Sequence, residues 1–501
     1  MKKLTRKIAA LLTASTIALA AVTLPDTEGL LPGLAVSASA ADASSVFGAL
    51  SDGLYTLESR DYELSEDIIT SGRIYVPEGV QASIDLNGHT IDRGLSSFAD
   101  GGGVVGVAAG AKLTVKNGTI KGGARGKGNG GGFNVNGSLT LDSVIIEDCK
   151  AEDAGGGIYI NGEDSFVLLE GNCIIRNNTA GTYGGGIYVG EGALLAIEGK
   201  PVIKDNGDTN VYLIEGRKIN ISGVLSAGTQ VGVTHTDEGK TSFTRGYRDN
   251  YNSLTPSDYF FADNGGNIVL DTKEVHFAVE YVNRSWNSAK KKVDEETLYV
   301  TNYIPFSKVK VSGDNTVDLT ENQWYVLTED TLLSHQVRVF IGANIILCDD
   351  RTLTCQKGIV VENNNCLNIY GQAKDSGKLI SNGGEKCAGI GGDADNSKDT
   401  VGTIRIFGGN ISATSEKHGA GIGGGKETGD GTIEIYGGTV TAKGGKFGAG
   451  IGGGYDSEKV GNILIMGGRV TASSTEIGAG IGCSDLPLHY PVLEQIPLVA
   501  E

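Results

Sequence analysis

"GAGIGGGKETGDGTIEIYGGTVTAKGGKFGAGIGGG" runs from Gly419 to Gly454. Its opening phrase, Gly-Ala-Gly-Ile-Gly, stands at 419–423, 448–452 and 478–482, and Cys387–Gly391 is a variant of it. Successive phrases lie 32, 29 and 30 residues apart. A period of this length signals stacked units, each too small to bury a core alone. Within a unit the apolar period is two, the signature of strands. Ile433 and Ile435 alternate with Thr432, Glu434 and Tyr436; Gly437-Gly438 breaks the run; Val440 and Ala442 alternate with Thr439 and Thr441. A third short run places Ala449 and Ile451 on one parity and glycines on the other.

Such strands are too short, and their bends too irregular, to pair as hairpins. Each must pair in parallel with its counterpart in the next unit, one coil stacked about 4.8 Å above the other. The fold class expected is therefore all-β: two parallel β-helix arrays joined by a connector. The expected inward columns are Ile404/Ile433/Ile463, Ile406/Ile435/Ile465, Ile411/Val440/Val470, Ala413/Ala442/Ala472 and Ile422/Ile451/Ile481. Outward positions vary freely, as in Arg405/Glu434/Leu464 and Asn410/Thr439/Arg469. The bends explain much of the glycine, since they need backbone conformations closed to side chains with a Cβ. Parity in the third strand points the remaining glycines outward, predicting a bare, flat face.

The first half carries a second array. Gly155–Ile160 (GGGIYI) returns as Gly184–Val189 (GGGIYV) and loosely as Gly130–Val135 (GGGFNV). Each is followed by an alternating strand and then by "SVIIEDCKA", "NCIIRNNTA" or "KPVIKDNGD". Asn178, Asn206 and Cys149 share one slot, and stacked asparagines at a bend bond each other and the backbone.

The sequence divides as follows: 1–40 an export signal, 41–60 an N-terminal cap or linker, 61–272 the first helix, 273–320 the connector, 321–483 the second, glycine-rich helix, and 484–501 an irregular tail. The signal rests on Lys2, Lys3, Arg6 and Lys7 ahead of an apolar stretch and Ala38-Ser39-Ala40. It makes the chain secreted or surface-attached. No later stretch is long and apolar enough to span a membrane. In the connector, "NSAKKKVDEET" reads as a solvated loop between strands "VHFAVEYV" and "ETLYVTNY". The tail reads equally as a cap on the last coil or as a truncated end.

The net charge is −18, and −20 once residues 1–40, with four basic and two acidic side chains, are removed. Such a chain repels nucleic acid and anionic lipid, so neither is expected as a partner. The seven cysteines are an odd count with no C-x-x-C pair, which favours buried free thiols, Cys355 pointing inward among them.

The Gly-Gly-Gly-Ile-Tyr phrases with "IIRNNTA" resemble the repeats of right-handed β-helix surface proteins such as the chlamydial polymorphic outer-membrane proteins. Those carry GG-x-I and F-x-x-N pairs; here Ile175 stands where the Phe would be, three residues before Asn178. The GAGIGGG array resembles large exported, adhesin-like or carbohydrate-binding proteins of Gram-positive gut anaerobes. The resemblance implies that both parallel β-helix arrays are right-handed and exposed, and carries over no catalytic residue.

Two constellations could carry function. Asp142, Glu170 and Glu198 recur every 28 residues, each after an inward apolar residue. Carboxylates one coil apart suit a calcium ion, approach the spacing of a retaining glycosidase pair, or simply splay into water. Tyr159 and Tyr188 in the first array, and Phe407 and Tyr436 in the second, form outward aromatic columns suited to sugar rings or to packing under a loop. "DADNSKD" (393–399) lacks the glycine and the terminal acid of a calcium loop. No catalytic residue is assigned and no cofactor is required, calcium being the one ion the residues suit. A non-enzymatic role in adhesion or binding of a polysaccharide or surface glycan is the first expectation; a polysaccharide lyase or glycoside hydrolase and a passive stalk are the alternatives.

Overall fold

The computed structural model describes residues 41–236, 239, 241–250, 255–393, 400–428, 431–457 and 461–482. The export signal, the tail from 484, Cys483 and most of the 393–399 loop lie outside the described residues. The chain winds as a parallel β-solenoid of about 14 turns.

In the first winding, one face stacks Arg73–Val76, Val105–Val107, Phe133–Val135, Ile158–Ile160, Ile187–Val189 and Val211–Leu213. The next face stacks Gln81–Asp85, Lys112–Lys121, Ser138–Glu147, Phe166–Glu170, Leu194–Gly199 and Ile219–Leu225. All these pairings are parallel, and equivalent residues meet: Val167 lies opposite Leu139 on one side and Leu195 on the other. Leu139, Leu141, Val167, Leu169, Leu195 and Ile197 are fully buried, while the residues between Leu139 and Leu141 and between Val167 and Leu169 reach the surface. Each such side chain contributes about 1.5–3 kcal/mol of burial, available only when a neighbouring coil covers it.

The coil ends are covered. Phe47, in the short helix Ser44–Phe47, is buried with its ring 5.7 Å from Tyr62. At the other end Phe243 packs on Phe260 and Phe277, and Tyr247 on Tyr259. These rings close the first core, which runs from Ala43 to Phe277.

The second winding has three parallel sheets. The first contains Cys366–Gly371, Thr403–Ile406, Thr432–Ile435 and Asn462–Ile465; the second Lys378–Asn382, Asn410–Thr414, Thr439–Gly444 and Arg469–Ser474; the third Ile390–Gly391, Ile422–Gly423, Ile451–Gly452 and Ile481–Gly482. Every aliphatic column read from the repeat is present in register: Ile404/Ile433/Ile463, Ile406/Ile435/Ile465, Ile411/Val440/Val470, Ala413/Ala442/Ala472 and Ile422/Ile451/Ile481. Outward, Arg405 faces Glu434 and bonds it at 2.7 Å.

The glycines differ from expectation. Gly421, Gly423, Gly450 and Gly452 are buried, so no bare face exists there. A Cβ on Gly421 would lie 2.5 Å from the Lys443 nitrogen, and one on Gly423, at φ +132°, would lie 2.0 Å from the Gly452 oxygen. These positions face the backbone of the next coil, which fills the space a side chain would need.

Between the windings, Asn267–Asp271, Glu274–Asn287 and Lys292–Val300 form an antiparallel sheet. The charged stretch expected to be a loop is mostly strand; only the turn at 288–291 leaves the ladder, because Asp294–Thr297 pair with Val282–Ser285. The hairpin lies on the second winding. Tyr281 packs on Trp324 and Tyr370 at 4.7 and 4.9 Å. Arg284, nearly buried, bonds Glu295 and Asp375, both at 2.7 Å, and the Phe407 carbonyl at 2.6 Å.

Six cysteines among the described residues are free thiols. Burial pushes the Cys149 and Cys355 thiols up to about 12 and that of Cys173 to about 11, so they stay protonated and inert.

Candidate binding face

The outward position at the centre of each strand on the first face forms one column: Tyr75, Gly106, Asn134, Tyr159, Tyr188, Tyr212 and Thr234. Parallel pairing with exact repeats of parity forces these side chains above one another. Tyr159 and Tyr188 stack with centroids 5.2 Å apart and planes 10° from parallel; Tyr188 and Tyr212 do so at 5.8 Å and 10°. Tyr183, half exposed, lies on Tyr212 at 4.4 Å.

Tyr183 and Tyr212 were not singled out in the sequence. The signal for Tyr212 was "VYL" at 211–213, which repeats "IYI" and "IYV" without their glycine prefix. Tyr183 sits in the bend before Gly184, outside the strand pattern.

The stack has a chemical consequence. The inner rings spend their faces on each other and present edges and hydroxyls to solvent. Burial is the first cause raising the hydroxyl pKa of Tyr159, Tyr188 and Tyr212, with neighbouring tyrosines adding to it. All three are therefore neutral and able to donate as well as accept. Tyr183 adds an exposed ring of its own.

In the second winding Phe407 stacks between Tyr370 (4.5 Å, 3°) and Tyr436 (5.0 Å, 9°). The connector's hairpin packs against Tyr370 and reaches the Phe407 carbonyl through Arg284. This column is thus partly taken up in holding the hairpin. Tyr436 is half-buried, and its hydroxyl lies 3.3 Å from Glu434.

The acidic residues also line up. Asp142 lies opposite Glu170, and the ladder beyond pairs Leu169 with Ile197, the residue before Glu198. All three are half-buried at a bend. Ser143 donates to Asp142 at 2.9 Å. The Glu170 carboxyl is held above the usual glutamate range, first by burial and then by the Asp142 and Glu198 charges. Among the described residues no group of three or more His, Cys, Asp or Glu side chains gathers closely enough to hold a metal ion. The carboxylates form a line.

A crevice in the second winding, lined by Val401, Gly424, Gly431, Ile433, Gly461 and Ile463 among others, encloses about 10 Å³, room for at most one water. Among the described residues no helix is long and apolar enough to cross a membrane.

Three successive stretches, 404–426, 433–455 and 463–485, match a family model described as a beta helix repeat. Their first residues, Ile404, Ile433 and Ile463, occupy equivalent positions on successive coils of the second winding. The beta helix repeat match and the parallel registers agree on the winding itself. Comparison with curated proteins and with solved structures finds no match.

Proposed function

We propose that this chain is an exported, non-enzymatic β-helix protein that binds glycan along the tyrosine column of its first winding. The observation that carries the reading is the run Tyr159–Tyr188–Tyr212 with Tyr183 lying on its end. A row of neutral phenolic hydroxyls at one-coil spacing matches the hydroxyl-rich edge of a polysaccharide chain. Tyr183 supplies an exposed ring against which a sugar can pack. Long repeat surfaces suit long, repetitive ligands, since each coil offers the same contact again. The export signal and the resemblance to adhesin-like repeats support the setting.

Phe407 and Tyr436 make a lesser surface, because the hairpin occupies part of their column. A polysaccharide lyase or glycoside hydrolase is the alternative for the acidic line.

The test is binding of the full chain to a panel of polysaccharides, with Tyr183→Ala and Tyr188→Ala variants and a parallel assay for new reducing or unsaturated ends. Binding that drops about tenfold or more in the variants supports the reading. Release of sugar ends by the wild type would overturn it in favour of an enzyme. Neither binding nor release leaves a passive stalk.

A further inference from the structure

The same column holds a cationic position at its other end. Arg73 leaves the strand Arg73–Val76 on the outward side, alongside Tyr75. Its guanidinium lies flat over Gly106: a Cβ there would fall 2.5 Å from Nη2 and 2.8 Å from Nε. Gly106 is the one glycine in the tyrosine column, and its missing side chain is what makes room for the arginine. Arg125 is the middle residue of the strand Ala124–Gly126, its Nη1 3.9 Å from where a Gly101 Cβ would stand.

Neither guanidinium is satisfied. The Nε of each is buried without a hydrogen-bond partner. Arg73 reaches only the Val105 carbonyl, at 3.4 Å. Glu152, the nearby acid on the next coil, accepts from the Lys127 backbone nitrogen at 2.6 Å instead. Elsewhere Arg176, Arg284, Arg338 and Arg405 each take a carboxylate. Other arginines also lack a carboxylate, but Arg73 and Arg125 stand as a neighbouring pair in which each buried Nε has no partner. The two charges also work against each other: burial first, then Arg125, brings the Arg73 pKa down to about 10. Two unpaired guanidinium forks at a half-buried position await an anion, which each can bind in a bidentate manner.

We propose that Arg73 and Arg125 are an anion subsite, and that the ligand of the tyrosine column is an acidic polysaccharide whose carboxylate or sulfate seats between them. The identity of the ligand class rests on the glycan-binding reading above. The chain's overall negative charge does not forbid this. Its repulsion is screened beyond about 8 Å at physiological salt, whereas the subsite acts at contact.

The experiment measures binding of the full chain to polygalacturonate, chondroitin sulfate and neutral xylan. The wild type, Tyr188→Ala and the double variant Arg73→Gln/Arg125→Gln are compared, each with its melting temperature. At least about tenfold preference for an acidic polymer, lost in the double variant while xylan binding persists, is the expected result. Preference for polygalacturonate alone assigns carboxylate; preference for chondroitin sulfate alone assigns sulfate. Equal binding of all three polymers, or an acid preference that survives the double variant, overturns the subsite and leaves the glycan face standing. Absence of binding to any polymer removes both. Should the double variant unfold, the single variants Arg73→Lys and Arg125→Lys decide. They keep the charge but lose the fork, and an unchanged preference in both would count against the subsite.

Discussion

Asn178 donates its side-chain amide to the Asn206 side-chain oxygen at 2.9 Å, one coil away, and both residues are fully buried. The same Asn206 oxygen accepts from the Asn178 backbone nitrogen at 3.1 Å, while Asn178 accepts from the Cys149 nitrogen at 3.0 Å. The ladder continues through Asn210, which bonds Asn206 at 3.1 Å, to Asp263 at 2.7 Å. Asn178 thus ties three consecutive coils, through Ile146, Arg176 and Asn206, at the bend where the strand ladder is interrupted.

Removing Asn178 therefore takes the side-chain partner from the Cys149 nitrogen and the Ile146 carbonyl on one side, and one of two donors from the Asn206 oxygen on the other. Asn178→Ala is expected to cost about 2–4 kcal/mol, the sum of partial desolvation penalties in a coupled network. Amide hydrogen exchange reads this locally. The Cys149 amide should lose protection by a factor of at least about thirty, corresponding to about 2 kcal/mol. Unchanged exchange at Cys149 would show that the ladder is ornamental.

The glycine columns of the second winding make a sharper steric case. Gly423→Ala places a methyl 2.0 Å from the Gly452 oxygen at a φ of +132°. No side-chain rotation relieves a clash with backbone, so the coils must separate. A loss of more than about 3 kcal/mol is expected from strain and broken ladder bonds together. Thr441→Ala, on the outward parity of a neighbouring strand, should stay within about 0.5 kcal/mol. Chemical denaturation of both variants checks this, and equal stability would mean that the coils are looser than the registers imply.

How far these features could be read in the sequence depends on their range. The aliphatic columns were legible because a period of two inside a repeat of 29 or 30 residues leaves one stacking that buries them. Asn178 above Asn206 was legible for the same reason. Tyr212 was not, since its coil lacks the glycine phrase that marks its neighbours. Asp263 closes the asparagine ladder from 53 residues beyond Asn210, and no repeat connects them. Parity likewise does not show how closely the next coil's backbone approaches, which is why the buried glycines were expected to form a bare surface. The anion subsite depends on Arg73 crossing from its own coil onto Gly106, a diagonal contact that alignment of equivalent positions does not reveal.

The hairpin's attachment is a tertiary contact across 91 residues, between Arg284 and Asp375. Glu295 is mostly exposed, so its bond to Arg284 is worth little. Asp375 and the Phe407 carbonyl hold the enclosed side of the guanidinium. Arg284→Ala should therefore loosen the hairpin, whereas Glu295→Gln should not. Limited trypsin digestion monitors this at Lys290, Lys291 and Lys292, in and beside the hairpin turn. Cleavage there should accelerate about tenfold or more in Arg284→Ala and stay near the wild-type rate in Glu295→Gln. Equal rates in all three proteins would mean that Tyr281 and Tyr370 alone secure the hairpin.

The acidic line gives a prediction whose sign is fixed by Glu170. Its carboxyl is raised in the folded state, by burial and by Asp142 and Glu198, so the native protein binds that proton more tightly than the unfolded chain does. The resulting stability is fully present below the ordinary glutamate pKa and is lost as pH rises through the raised one. At neutral pH the charged Glu170 is thus a mild liability. Glu170→Gln should stabilise the first winding slightly at pH 7, by no more than about 0.5 kcal/mol given solvent screening, and its advantage should vanish near pH 4. Calcium reverses the expectation if it bridges the line. The wild type would then melt higher with added calcium and Glu170→Gln would not. Identical melting temperatures with and without calcium would end the metal reading, and a Glu170→Gln variant less stable at pH 7 in chelator would contradict the electrostatic one.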